Sequence, residues 1–187
     1  QLKAQPEIDV WVTDHIEFSE DYENIRVRPI KKVADLNVEN WLSGAGVIMK
    51  RKVWENVGGY CEDPILKKGC EDVHFWAANS KNELLVSKLN GEFYYYRNTP
   101  GSMVKKMNYQ RPNIYKRITE LLPEIYNNKE VKNKFLAKAY KTELLNAFDQ
   151  KHYLTSLWFA LKAFLITGNL YFIYRMRRSI ESMILRH

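Results

Sequence analysis

At Pro100-Gly101 the hydrophobic pattern of this chain changes character, and no other feature constrains its fold as much. Upstream, apolar residues come in short runs. Ile8, Val10 and Val12 alternate before Thr13-Asp14, which predicts a strand entering a loop. Residues 19–40 are polar, contain Pro29 and lack a period, so an excursion is expected there. The run from Trp41 to Met49 holds Gly44 and Gly46, as in a strand that crosses a crowded site. Residues 50–57 predict a helix stopped by Gly58-Gly59. Glu71 to Ser80 predicts a second, with Val73, Trp76 and Ala77 on one side. Leu84–Leu89 and Phe93–Arg97 flank Asn90-Gly91, a hairpin signal.

Downstream, the spacing is helical throughout. Ile114, Ile118, Leu121, Leu122 and Ile125 mark one helix that Pro123 must kink or end. Val131 to Phe148 marks another, with Phe135, Ala139, Thr142 and Leu145 in one stripe. Leu154, Leu157, Trp158, Leu161 and Leu165 define a third. Gly168-Asn169 breaks it, and Leu170 to Leu185 forms a fourth. The expected organisation is α/β over residues 1–105 and an α-helical C-terminal extension over 106–187.

With 45% hydrophobic and 13% aromatic residues among 187, there is material for a real core, which excludes a disordered or low-complexity chain. Two cysteines, Cys61 and Cys70, make neither a disulfide framework nor a zinc motif, so a reduced, cytoplasmic setting is expected. The segment Gln1–Asp9 is charged where a secretory signal would be apolar, and it lacks an initiator Met. A piece of a longer protein is the expectation.

Charge is divided as sharply as pattern. Residues 1–99 hold 13 Lys/Arg against 16 Asp/Glu, while residues 100–187 hold 16 against 6. A basic half predicts either an anionic surface nearby or a solvated lysine-rich helix face. Lys129, Lys132, Lys134, Lys138 and Lys141 spread around their helix without a nucleic-acid motif, which argues against nucleic acid and leaves anionic lipid. Only Lys162 is charged among the 23 residues 152–174. A central lysine costs about 2.5–3.5 kcal/mol on insertion, and Gly168-Asn169 interrupts the segment, so a packed helix–turn–helix is expected rather than a span.

The stretch with chemical content is Gly69-Cys70-Glu71-Asp72, two adjacent carboxylates after a loop that opens at Pro64. A carboxylate in a site can act as general base toward a hydroxyl. The same residues can instead serve a helix, since acids in a first turn satisfy free N–H groups and the macrodipole. His15, His74, His152 and His187 are scattered and show no metal-ligand spacing.

The ordered set of motifs around that stretch decides between these uses. Val53 to Tyr60 (VWENVGGY), Glu71-Asp72 followed by Phe75-Trp76, Tyr95-Tyr96-Arg97 and Pro100-Gly101-Ser102 follow one another over residues 44–103. Together with the leading QPEIDVWVTDHIEF, they resemble the second half of a family-2 glycosyltransferase of GT-A, Rossmann-like fold. The D-x-D of that family is absent from this sequence, and its Y-R-x-H stands here as Tyr96-Arg97-Asn98-Thr99.

The resemblance implies that Asp72 is the base of an inverting transfer from a nucleotide-sugar donor to a glycan or lipid-linked acceptor. Surface polysaccharide synthesis is the expected setting. Glu71 would orient the acceptor or hold the loop. Gly44 and Gly46 would admit sugar or acceptor, or simply allow tight strand packing. Trp76 would be a sugar platform or core. Arg97 and Ser102 would cover the donor or stabilise a turn. A divalent metal, Mg or Mn, is implied for the intact enzyme, bound by the D-x-D half, with no metal ligand in this chain. Peripheral attachment to the inner face of a membrane and a homo-oligomer are further expectations. The alternative is a basic helical scaffold that docks on anionic membrane or nucleic acid.

Overall fold

The computed structural model describes residues 4–19, 26–28, 46–99 and 109–185. The chain divides into two compact units, residues 1–108 and 109–187. Among the described residues the first is mixed α/β with a four-stranded sheet, and the second is helical.

The sheet is organised around β1 (Val10–Ser19). One edge of β1 pairs antiparallel with β3 (Val47–Met49) near its start and with β2 (Arg26–Arg28) near its end. Its other edge runs parallel to β4 (Val86–Asn98) over its whole length. Between β3 and β4 lie α1 (Arg51–Glu55), a single 3-10 turn (Leu66–Lys68) and α2 (Glu71–Asn79). Val10 and Val12 alternate onto the face that α2 covers, where they meet Val53, Phe75 and Trp76 in a fully buried cluster. Each such side chain contributes about 1.5–3 kcal/mol by leaving water.

Two expectations are corrected here. Thr13-Asp14 does not end the first strand, which continues to Ser19, and Asn90-Gly91 is not a hairpin turn but a bulge inside β4. The register explains both. From Thr13 to His15 the first strand advances two residues while β4 advances from Leu89 to Tyr94. Gly91, at φ 126°, absorbs the excess in a conformation that side chains resist. Thr13 Oγ1 donates to the Gly91 carbonyl at 2.8 Å and accepts from Phe93 N at 3.3 Å, replacing the ladder bonds the bulge interrupts. Asp14 pairs with Lys88 Nζ at 2.7 Å on the same strand pair. Polar Thr13 and Asp14 therefore extend the sheet.

The start of the sheet is fastened by Asp9, which is 5% exposed. Its carboxylate meets Lys52 Nζ at 2.7 Å and Lys50 Nζ at 3.3 Å, and accepts from Leu85 N at 3.2 Å. Its own N–H donates to Leu85 O, and its carbonyl accepts from Lys50 N. One residue thus ties β1 to the chain after β3 and before β4. The lysine contacts hold its carboxyl below the ordinary 3.8, against the opposing effect of burial.

The helical unit comprises α3 (Arg111–Leu121), α4 (Pro123–Tyr126), α5 (Lys129–Asp149), α6 (Tyr153–Thr167) and α7 (Leu170–Ile184). Pro123 ends the first of these and opens the next, because a helix tolerates proline in its first turn. Asn128 and Asn169 cap α5 and α7 through side-chain oxygens, and Gly168 closes α6 at φ 65°. Leu144, Phe159, Ala160, Ala163 and Phe172 join the last three helices in one core. Buried Glu143 is satisfied by Arg111 Nη1 at 3.1 Å and Asn146 Nδ2 at 3.1 Å.

The sequence stripe of the third predicted helix turns out to face outward. Leu154, Trp158, Leu161 and Leu165 are exposed and Leu157 is half-buried, while the buried side of α6 is Ser156, Phe159, Ala160 and Ala163. Ser156 Oγ donates to Leu144 O at 3.0 Å and lies 3.2 Å from Ser179 Oγ, so small residues let the helices approach closely there. Phe172, Met176 and Met183 of α7 are buried or half-buried, while Ile180 is exposed. Among the described residues no helix is long and apolar enough to cross a membrane.

Candidate active site

Glu71 and Asp72 stand in the first turn of α2, both half-buried. The approach to them is a tight corner. Leu66, fully buried, anchors the 3-10 turn, and Gly69 N donates back to Leu66 O at 2.9 Å. Gly69 then takes φ 127° and Cys70 takes φ 67°, ψ 21°. A non-glycine residue in the left-handed region costs on the order of 1–3 kcal/mol and persists only where its surroundings enforce it. His74 N donates to the Cys70 carbonyl at 3.2 Å and begins the helical ladder. Asp72 Oδ1 accepts from Val73 N at 2.8 Å. This contact lies within the helix's first turn, whose dipole favours negative charge. Cys61 and Cys70, at the two ends of this loop, are not joined in a disulfide.

Beside the carboxylates an aromatic series runs from the core to the surface. Trp76, 1% exposed, packs edge-on against Phe75 with centroids 4.8 Å apart. Phe75 meets Tyr60 at 5.4 Å and Trp54 at 5.5 Å, and those two meet each other at 4.9 Å. Trp54 is 41% exposed and Tyr60 38%, so the outer rings form a ledge open to solvent. Gly59 makes the ledge possible. At φ 82° it turns the chain back over Trp54, and a Cβ there would lie 2.7 Å from the indole ring. Burial first, then the negative charges of Asp72 and Glu71, raise the pKa of the Tyr60 hydroxyl above 10.0. Tyr60, a phenol that can donate, thus lies in the electrostatic field of the carboxylate pair.

The other expected site residues are placed as follows. Trp76 serves the core; at its exposure no ring face is left for a ligand, which corrects its use as a sugar platform. Gly46 is buried, and its carbonyl accepts from Thr13 N at 3.1 Å, extending the pairing of β1 and β3. Arg97 is exposed on β4, with its guanidinium 5.7 Å from the centre of the Phe18 ring. Gly44 and Ser102 lie outside the described residues. Among the described residues no group of three His, Cys, Asp or Glu side chains could hold a metal ion. Trp54 and Tyr60 were legible only as part of a motif; the signal for their exposure is the Gly58-Gly59 doublet that follows Trp54 so closely.

The chain matches no protein-family model, no curated protein and no solved structure.

The arrangement offers a carboxylate pair held by an enforced turn, a phenol donor and two aromatic edges on one surface. Aromatic rings with polar tips suit a ligand that is apolar on one side and hydroxylated on the other. Such a ligand would present a hydroxyl to a carboxylate that can accept its proton.

Proposed function

We propose that residues 1–105 are the acceptor side of an inverting, family-2-like glycosyltransferase of GT-A fold. Asp72 is its base and Glu71 orients the acceptor. One observation carries the reading. The half-buried Glu71–Asp72 pair opens α2 from a strained corner and stands beside the exposed Trp54–Tyr60 ledge. A helix cap alone needs neither the strain nor the open aromatic surface.

In this reading a sugar acceptor lies against Trp54 and Tyr60 and directs one hydroxyl at Asp72. As the hydroxyl oxygen forms its bond to the anomeric carbon of the donor, its proton passes to an Asp72 carboxylate oxygen. The bond from that carbon to the diphosphate oxygen breaks on the opposite face, and the electron pair leaves with the diphosphate. Configuration at the carbon inverts. The donor's diphosphate is assigned to groups outside this chain, since the sequence holds no D-x-D. The acceptor is a glycan or a lipid-linked glycan, in keeping with the same resemblance.

The test is Asp72→Asn in the intact protein. The side chain keeps its size but can no longer take a proton. Sugar transfer should fall by about 10²–10⁴-fold, the range for loss of a general base, with nucleotide-sugar affinity unchanged. Turnover near wild type in a folded variant reduces Asp72 to a helix cap and removes the reading. Glu71→Gln, with its fold checked by circular dichroism, should weaken acceptor binding more than turnover.

A further inference from the structure

The outward stripe of α6 has a counterpart on α7. Leu154, Trp158, Leu161 and Leu165 follow one another at intervals of four, three and four residues, one face of a helix. Leu154 is 72% exposed, Leu165 69% and Trp158 53%. On α7, Tyr171 and Arg175 point toward α5, for Lys141 Nζ lies 5.0 Å above the Tyr171 ring and Arg175 lies 4.9 Å from the Phe148 ring. Helical spacing then puts Ile173, Ile180 and Ile184 on the opposite flank of α7, and all three are exposed. The two helices pack on each other through Ser156 and Ser179 as a hairpin, and each carries an exposed apolar row. Large apolar side chains exposed in a row along one helix face mark an interaction site rather than scattered exposure.

The net charge of the sequence segment that carries this face selects its occupant. Residues 150–187 hold six Lys/Arg and one carboxylate, Glu181. Two copies meeting face to face would each bring this positive excess, which disfavours self-pairing. An anionic lipid surface complements it. The aromatic and basic residues also have the required form. Lys162 Nζ sits 4.4 Å over the Trp158 ring, so a cation lies directly on the apolar stripe. Trp and Tyr beside Lys and Arg suit the boundary between headgroups and acyl chains.

We propose that the α6–α7 hairpin docks in the plane of an anionic bilayer. Leu154, Trp158, Leu161 and Leu165 enter the acyl boundary, and Lys162 meets the headgroups. This proposal stands independently of the transfer reaction.

The experiment is co-sedimentation of residues 1–187 with vesicles of phosphatidylcholine containing about 30% phosphatidylglycerol, beside vesicles of phosphatidylcholine alone. Binding to the anionic vesicles is expected, about tenfold weaker without the anionic lipid and similarly weakened by high salt. Brominated acyl chains should quench tryptophan fluorescence, and Trp158→Phe should remove most of that quenching. The double variant Trp158→Gln, Leu165→Gln changes exposed residues only, so its circular dichroism should match the parent while its binding falls at least about tenfold. Absence of vesicle binding overturns the proposal, as does binding that the double variant retains. A dimer in analytical ultracentrifugation that the double variant dissolves, without vesicle binding by the parent, assigns the face to a second copy instead.

Discussion

Asp9 shows how much of the α/β unit depends on one buried charge. Its carboxylate offsets the cost of burial with two ammonium groups and one backbone N–H, so removing the charge leaves those donors poorly matched. Asp9→Asn should lower stability at neutral pH by about 1–3 kcal/mol, measured by urea denaturation. The pH dependence follows from the same contacts. Because the folded carboxyl lies below 3.8, the stabilisation is complete above that value and is lost as pH falls through the depressed folded value. The difference in stability between wild type and Asp9→Asn should therefore be flat near neutrality and shrink in acid. A difference that persists unchanged below the folded value would mean that shape, not charge, is what Asp9 supplies. Thr13 makes a similar point without charge. Thr13→Val keeps the branched shape but removes the hydroxyl that bridges the β4 bulge, and should cost about 1–2 kcal/mol.

Among the elements, the short helix and glycine doublet before the acidic pair are the most exacting. Gly59 combines a positive φ with a Cβ position already occupied by the Trp54 indole. Gly59→Ala must therefore displace the ring as well as strain the backbone, and a loss of about 1–3 kcal/mol is expected. Near-ultraviolet circular dichroism should report the disturbed Trp54–Tyr60 contact. Gly58→Ala, with open space at its Cβ, should incur only the backbone cost. The sequence made both helices of this region legible, because glycine and acidic residues punctuate them locally. It did not reveal that Asn90-Gly91 bulges a strand rather than turning it. Turn and bulge use the same positive φ at glycine, and the difference lies in Thr13, far away in the chain. The α6 stripe failed for another reason. Spacing identifies the helix, but alanine and serine can face inward when neighbouring helices approach closely, leaving leucine and tryptophan outside.

For the whole molecule, the division of charge coincides with a division of tasks under the proposed reading: an acidic-balanced α/β unit bears the carboxylates, and a basic helical unit bears the apolar face. The candidate base was legible because two acids opening a helix after a loop are a local pattern. The aromatic ledge was less so, since exposure of Trp54 and Tyr60 depends on what α2 leaves uncovered. The reading also makes a claim about what this chain lacks the groups to do. Stabilising a departing diphosphate requires donors or cations preorganised around its oxygens. The reading assigns those groups to the D-x-D side, and this sequence has no D-x-D. Titration calorimetry of residues 1–187 with a nucleoside diphosphate, with and without Mg²⁺, should therefore give no metal-dependent saturable heat. The basic helical unit can still attract the anion weakly, and that binding should fade with added salt because exposed charges are screened. A saturable, metal-dependent isotherm that resists salt would place the donor site within this chain. In that event Glu71 and Asp72 would have to be reassigned from the acceptor to the donor.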